Sequence, residues 1–475
     1  MLFQDLGKRK VVGDFSGGRL SSDGGVLLLR QIDEGMGIIR TVARAFRDDR
    51  NPDLIEHSVE ELLRQRIYGL ALGYEDLNDH AQLRRDPLIA AAVGKEDLLG
   101  EERRLEKDRG YAMASAATLN RMELGAQHED RYRKLHADPK KLESIVLELG
   151  VRALPKHSKV LILDFDATDD PLHGAQEGRF FHGYYGNYCY LPLHCFCGAV
   201  PLWAQLRTSD HDASAGTVEA LEQIVKALRQ RMPKVIIVVR ADSGFAREEI
   251  MAWCEEQKNV YYLIGMARNS RLEQIIEPAM DKARIRHCLI GGVACREFME
   301  VDYSTQKSWS RSRRMLCKAE ALAGDKTNPR FVVTNIPPQG IENLQGEKLM
   351  HGDPCSLYEE QYCGRGDAEN MIKQMTLDLH ADRTSTHWMA SNQIRLWFST
   401  LAYLLLERLQ TLGLAGTVLG EVTLGTLRIK LLKVAALVEV SVRRVHVALC
   451  SAFPLQEVFR LVLARVDPQA LEAGG

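Results

Sequence analysis

The stretch that most constrains this chain runs from Lys159 to Cys197, KVLILDFDATDDPLHGAQEGRFFHGYYGNYCYLPLHCFC. Its opening, Val160 to Leu163, is β-branched and leucine-rich and too short for a buried helix, so it predicts a buried strand. Side chains alternate along a strand. Asp164, Asp166 and Thr168 therefore point one way, and Leu163, Phe165 and Ala167 the other. A carboxylate on so apolar a strand is costly to bury without something that neutralises it. A hard divalent cation, which takes oxygen ligands, would do so. The alternative is an acidic turn that simply leads the chain back into solvent.

A second strand of the same kind is KVIIVVRADSGF, where five successive apolar residues, Val235 to Val239, predict a strand covered on both faces and ending at Asp242. Between the two, Tyr184 to Phe196 and Val200 to Arg207 read as strands of an antiparallel meander, and Ala213 to Arg231 as a helix. A helix from Arg247 to Gln257 and the strand VYYLIG follow. This order leaves Asp166 and Asp242 at strand ends, where open α/β sheets bind their ligands. Further on, YEEQYCGRGDAENMIKQM spaces Arg365, Glu369 and Lys373 four residues apart along one helix face. That row is either an ion ladder or, through Glu369, the source of a third oxygen ligand for Asp166 and Asp242. Three such carboxylates can bridge and flank two magnesium ions, the arrangement used for in-line displacement at a phosphodiester. Arg365 and Lys373 would then hold DNA phosphates nearby.

The rest of the 475 residues sets limits on these readings. Formal net charge is −2, so affinity for DNA has to come from local basic surface. The opening MLFQDLGKRKVV lacks the apolar core of a signal peptide, and no run of about 18 apolar residues predicts a membrane span. Of the ten cysteines, Cys195 and Cys197 lie beside His194 but lack the second half of a structural zinc pattern. Scattered reduced thiols of a cytosolic protein are the better reading. Residues 1–150 predict a helical N-terminal, DNA-binding region, in which Arg64, Arg66, Arg84, Arg85 and Arg121 either face phosphates or form ordinary solvated helix faces. Residues 151–270 hold the first part of the α/β core, and 271–357 a β-rich insertion that begins with RHCLIGGVAC read as strand. Within the insertion, Lys307, Trp309, Arg311, Arg313 and Arg314 mix an aromatic with cations, a composition suited to DNA. Residues 358–412 return to the core with the Glu369 helix, and 413–475 form a hairpin and a last helix, Leu455 to Val466.

LDFDATDDPLHGAQ, YLPLH, VVRADSGFA and YCGRGDAENMIK resemble the signature blocks of bacterial insertion-sequence transposases of the DDE type, and most of all the 1380-type family. SSDGGVLLLR, RQRIYGLALGYEDLND, TLNRME, KSWSRSRRMLCKAE, FVVTN and LRIKLLKVAA extend the resemblance over nearly the whole chain. The related Tyr-x2-Arg-x3-Glu helix motif is present as Tyr362, Arg365 and Glu369. The resemblance implies an RNase H-like catalytic core interrupted by a β-rich insertion. It implies Asp166, Asp242 and Glu369 as the catalytic, metal-binding acids, with Asp166 preferred over Asp164 because the pattern places the acid two residues before Thr168. It implies Mg2+, for which Mn2+ can substitute, and double-stranded DNA as partner, both the element's terminal inverted repeats and the target. A homodimer on paired ends and a cytoplasmic, nucleoid-associated location are implied with it. One departure stands out: the broader motif carries a lysine seven positions after its glutamate, where this chain has Thr376, and Lys373 lies four positions after Glu369 instead. A catalytically silent DNA-binding relative and a metal-dependent nuclease on the same core are the alternative functions.

Overall fold

The computed structural model describes residues 1–125, 134–324, 326–343 and 345–468. The chain divides into two units: Met1–Ile145 with Gln374–Arg383 and Ala390–Gly475, and Val146–Lys373 with Thr384–Met389.

The first unit is mainly helical. The helix Val59–Ala71 begins in a capping box, Ser58 and Glu61 each satisfying the other's backbone N–H. Helix Met389–Arg408 is buried almost all round, with Ile394, Phe398, Leu401 and Leu405 at 0% exposure. Such a helix belongs inside a core. Glu123, fully buried, binds Arg66 at 2.6 Å and Arg395 at 2.7 Å. Burial alone would raise its pKa, but the two guanidiniums hold it below the ordinary carboxylate value. Among the described residues three β pairings interrupt the helices, one of them Phe46–Asp48 with Leu135–Ala137. Leu2–Leu6 pairs with Arg9–Val12, and the expected C-terminal hairpin, Ala436–Ser441 with Arg444–Leu449, pairs with Leu20–Ser21. The last helix spans Gln456–Arg465.

The second unit is built on a mixed sheet of nine strands among the described residues. Its strands in chain order include β1 (Val160–Ala167), β4 (Leu193–Cys197), β5 (Val200–Gln205), β6 (Ile236–Ala241), β7 (Val260–Met266), β8 (Cys295–Tyr303), β9 (Arg313–Leu322) and β10 (Arg330–Thr334). The short strands β2 (Phe180–His182) and β3 (Asn187–Tyr190) stand outside it and pair with each other, and β3 pairs on its other edge with Asp170–Pro171. The order across the sheet is β5-β4-β1-β6-β7-β10-β9-β8. The meander β1, β4, β5 is antiparallel, and β1, β6 and β7 are parallel. Parallel neighbours need crossovers. Helices α1 (Thr217–Arg231) and α2 (Glu248–Glu256) occupy those connections.

The alternation expected along β1 is found, and β6 repeats it. One face carries Leu161, Leu163, Phe165, Ile237, Val239 and Ala241, all buried. The other starts apolar, with Val160 and Ile162 beside Ile236 and Val238 in a core that includes Leu263, Leu357 and Tyr358. It then turns polar. Asp164 is 3% exposed and receives two hydrogen bonds from the Arg240 guanidinium, Nη2 to Oδ2 at 2.8 Å and Nε to Oδ1.

Three local expectations give way. The insertion opens with helix α3, Ser270–Leu289, with Pro278 inside it, so the first four residues of RHCLIGGVAC are helix and not strand; Leu272, Ile276, Ala279, Met280 and Ala283 fall at helical spacing and are buried. Tyr184 and Tyr185 lie in the loop between β2 and β3, because Gly186 adopts φ 69° and returns its N–H to the His182 carbonyl at 2.8 Å. Leu191 and Pro192 separate β3 from β4, so the predicted long strand is two.

Removing Arg240 would leave Asp164 buried without its cation. Arg240→Met is expected to cost about 3–5 kcal/mol at neutral pH. Asp164 already has its pKa raised by burial, against the pull of Arg240. The loss should therefore shrink as the pH falls and the carboxyl takes a proton. Urea melts at pH 5 and pH 7.5 read this out, and equal losses at both would assign the effect to lost packing.

Candidate active site

The register that pairs Asp164 with Arg240 and Phe165 with Ala241 continues one step to bring Asp166 beside Asp242. Both lie at the C-terminal ends of adjacent parallel strands. Asp242 also starts a short turn of helix, accepting the Gly244 N–H at 2.9 Å, so its carboxylate is fixed by its own backbone. Asp166 accepts the Ala167 N–H at 2.9 Å. Burial first, and the Asp242 charge second, push the Asp166 pKa up to about 6; Arg365 opposes the rise and Glu369 adds to it.

The third acid arrives from a helical segment that is rewound as it passes the strand ends. Leu357–Tyr362 is a wide turn in which the Cys363 N–H reaches back to the Tyr358 carbonyl, Cys363–Arg365 is a tight one, and helix α4 (Gly366–Leu379) follows. Such departures from α geometry recur at functional sites. Arg240 secures the segment by donating from Nη1 to the Gln361 carbonyl. Tyr362 fits against β7 because Gly265 has no side chain; a Cβ there would collide with the Tyr362 hydroxyl. Arg365 then binds Glu369 at 2.7 Å and lies 3.8 Å from Asp166. Lys373, two turns beyond Arg365, is exposed and carries no hydrogen bond or ion pair among the described residues.

The sheet and this segment thus gather Asp166, Asp242, Glu369, Tyr362 and Arg365 around one place. Among the described residues no group of three or more His, Cys, Asp or Glu side chains is drawn close enough to hold a metal ion, and Glu369 is turned onto Arg365. The donor chemistry nevertheless suits a hard cation. Two carboxylates stand side by side, and burial first, with the neighbouring charge second, raises the pKa of one of them to about 6, a cost that a hard cation bound to carboxylate oxygens would relieve. Asp164, the rival first acid, is taken up by Arg240. Arg240 itself was not singled out from the sequence. Its position two residues before Asp242, matching Asp164 two before Asp166, is the signal that could have found it.

The insertion cluster is not brought to these acids as a set. Arg313 is 4% exposed and held by Glu248 at 2.6 Å and Glu255 at 2.7 Å. Trp309 is buried edge-on to Tyr303. Arg314 binds Glu300 and donates to the Ile336 and Gly352 carbonyls. Arg311, exposed, lies 3.1 Å from Glu255, and Lys307 is exposed. In the helical unit, Arg64 is held by Asp33 and Arg66 by Glu123. Arg84 and Arg85 sit over the Tyr111 ring at 3.5 and 4.4 Å. Arg121 lines a cavity of about 340 Å³ with Arg50, Arg84, Arg103 and Lys134. His194 and Cys195 point to opposite sides of β4, and burial raises the thiol pKa of both Cys195 and Cys197.

Acidic side chains from two parallel strand ends and a helix thus meet in one region of the second unit. The chain belongs to the family described as transposase DDE domain group 1, which it matches over residues 3–471. A comparison with curated proteins finds no match. Among solved structures, the piggyBac transposase synaptic complex with hairpin DNA is similar, at 12% identity and a TM-score of 0.40, with 87% of this chain and 80% of that one covered. No helix among the described residues is long and apolar enough to cross a membrane.

The Asp166–Asp242 pair has a pH signature. A carboxyl that titrates near 6 in the folded chain and near 3.8 in the unfolded one makes the fold lose stability as pH rises from about 4 to about 6. Well above pH 6 the penalty is complete and on the order of 3 kcal/mol. Asp166→Asn should therefore melt later than the parent protein at pH 7 in the presence of a chelator, with the gap closing by pH 4. A gap independent of pH would mean that ionisation of the pair is not its source.

Proposed function

We propose that the chain is a DNA transposase that cuts at the terminal inverted repeats of an insertion sequence and joins the freed 3′ ends to target DNA. The family membership supports the class. The observation that carries the chemistry is the side-by-side placement of Asp166 and Asp242 at neighbouring strand ends, with the Glu369 helix held over them by Arg365. The order of the meander and the two parallel strands supports reading the core as RNase H-like, with the strands from Cys295 to Thr334 as its insertion.

In this reading Asp166, Asp242 and Glu369 hold a pair of Mg2+ ions, or Mn2+ in their place. Bound there, the ions would supply activation of the attacking oxygen and stabilisation of the leaving one. Arg365 has two tasks: it keeps the segment against the acids, and its charge lowers the Asp166 pKa toward the ionised form that a cation needs. Lys373, exposed and without a partner among the described residues, would meet a backbone phosphate, the task that Thr376 cannot perform. Tyr362, half-buried over Gly265, positions Arg365 and faces the DNA side of the site. Arg311 and Lys307 are the members of the insertion cluster left at the surface for DNA. The protein acts as a dimer on paired ends, in the bacterial cytoplasm.

Asp242→Asn is expected to lower cleavage of DNA carrying the element's ends by more than a thousandfold while leaving end binding within about threefold. A gel assay with cut ends and a plasmid target reads both steps. Joined product from the parent protein supports transposition. Cleavage without joining would make it a nuclease, and full cleavage by the variant would take Asp242 out of the site.

A further inference from the structure

The hairpin β2–β3 carries an aromatic cluster that the reading above leaves without a task. Phe180, Phe181, Tyr184 and Tyr188 are 42, 58, 87 and 43% exposed, an unusual concentration for four large rings within nine residues. The rings are ordered against one another. Phe181 meets Tyr188 edge-on at 5.5 Å, and Tyr184 meets Tyr185 edge-on at 5.0 Å. The Arg179 guanidinium lies over the Tyr188 ring, 3.9 Å from its centroid, and donates to the Gly174 carbonyl at 2.9 Å.

The hairpin is also tied to the acid strand. Tyr190 pairs with Asp170, and the Asn187 amide donates to Asp169 at 3.2 Å, three residues beyond Asp166. The Tyr185 phenol is close enough to the acids that burial, together with the charges of Asp169, Asp166 and Asp242, pushes its pKa up to about 12. Exposed rings with a guanidinium among them, set beside a phosphodiester site, match the chemistry of unpaired nucleobases. Every base has a π-face to stack, and the cation answers the backbone charge.

We propose that the β2–β3 hairpin is a stacking platform for unpaired bases of the DNA strand next to the scissile phosphate, with Phe181, Tyr184 and Tyr188 as the ring contacts and Arg179 as their cationic partner. The inference rests on the transposase reading for its ligand, and its test needs no cleavage. A fully paired duplex hides its base faces, so the platform discriminates frayed or single-stranded ends from closed duplex.

The test uses the full chain in Ca2+, with fluorescein-labelled dT12 and a labelled blunt 20-base-pair duplex as probes, read by anisotropy. Phe181→Ala/Tyr184→Ala is expected to weaken dT12 binding about tenfold or more, with duplex binding changed less than twofold. Tyr184→Trp, which keeps a ring, should retain the parent affinity and guards against a folding defect, as does an unchanged melting temperature. Equal affinity of the parent and double variant for dT12, or equal losses on both probes, would overturn the proposal. So would a double variant that changes only the sedimentation of the protein, which would make the rings a contact between copies of the chain. Because the readout is binding, an inactive Asp242→Asn protein that still prefers dT12 through these rings would separate the two readings.

Discussion

Parallel pairing of β1 with β6 is the constraint from which the site follows. Their register stacks residues of like parity in rows: Val160 with Ile236, Ile162 with Val238, Asp164 with Arg240. The next row is Asp166 with Asp242. Going along the strands, one face passes from apolar contact to a neutralised ion pair and then to two like charges. A slip of one residue would turn Leu163 and Phe165 onto that face and the acids into the core beneath α1 and α2. Each fully buried Val, Ile or Leu contributes about 1.5–3 kcal/mol. Several such rows outweigh the roughly 3 kcal/mol that the raised Asp166 pKa represents. The apolar residues thus hold in place an acid pair that would not choose to be there.

The third acid depends on different physics. Glu369 sits on a helix, and a helix can present its side chains to a sheet only where the backbones approach closely enough. Three contacts give that approach. The bare Cα of Gly265 lets the Tyr362 hydroxyl settle over β7. Gly364 makes room for Arg240, whose Nη1 would lie 2.7 Å from a Cβ at that position. Arg240 in turn binds a carbonyl of the rewound segment. One guanidinium therefore joins β6, β1 and the segment that delivers Glu369, which makes Arg240 a positioning residue for an acid it does not touch.

How much of this the sequence disclosed follows the range of the interactions. The alternation in LILDFDA and IIVVRAD is local, so the acid faces of both strands could be read directly. That the two strands are parallel neighbours is not local: element order left it open, and the ladder shows it. Arg313 shows where composition alone stops. Among Arg311, Arg314 and Trp309 it reads as a basic, DNA-facing patch. Its partners Glu248 and Glu255 lie 65 and 58 residues away and bury it. The helix Ser270–Leu289 was hidden by Pro278 and by the β-branched and glycine-rich LIGGVAC that follows. In the hairpin the tyrosines argued for strand, but Gly183 and Gly186 flank them and permit a turn, and the turn prevails.

Charge balance ties the candidate site to its proposed task. Arg365 stands between Asp166 and Glu369, with Asp242 on the other side of Asp166. A phosphodiester adds one more negative charge, so at close range repulsion would exceed attraction unless cations enter with it. In the proposed reading Lys373, exposed on the helix face, would answer part of that need. The remainder falls to the divalent ions that the proposal requires, and the same repulsion that raises the Asp166 pKa is what such ions would relieve. The unfavourable acid pair and the proposed use of metal are therefore one electrostatic fact seen with and without substrate.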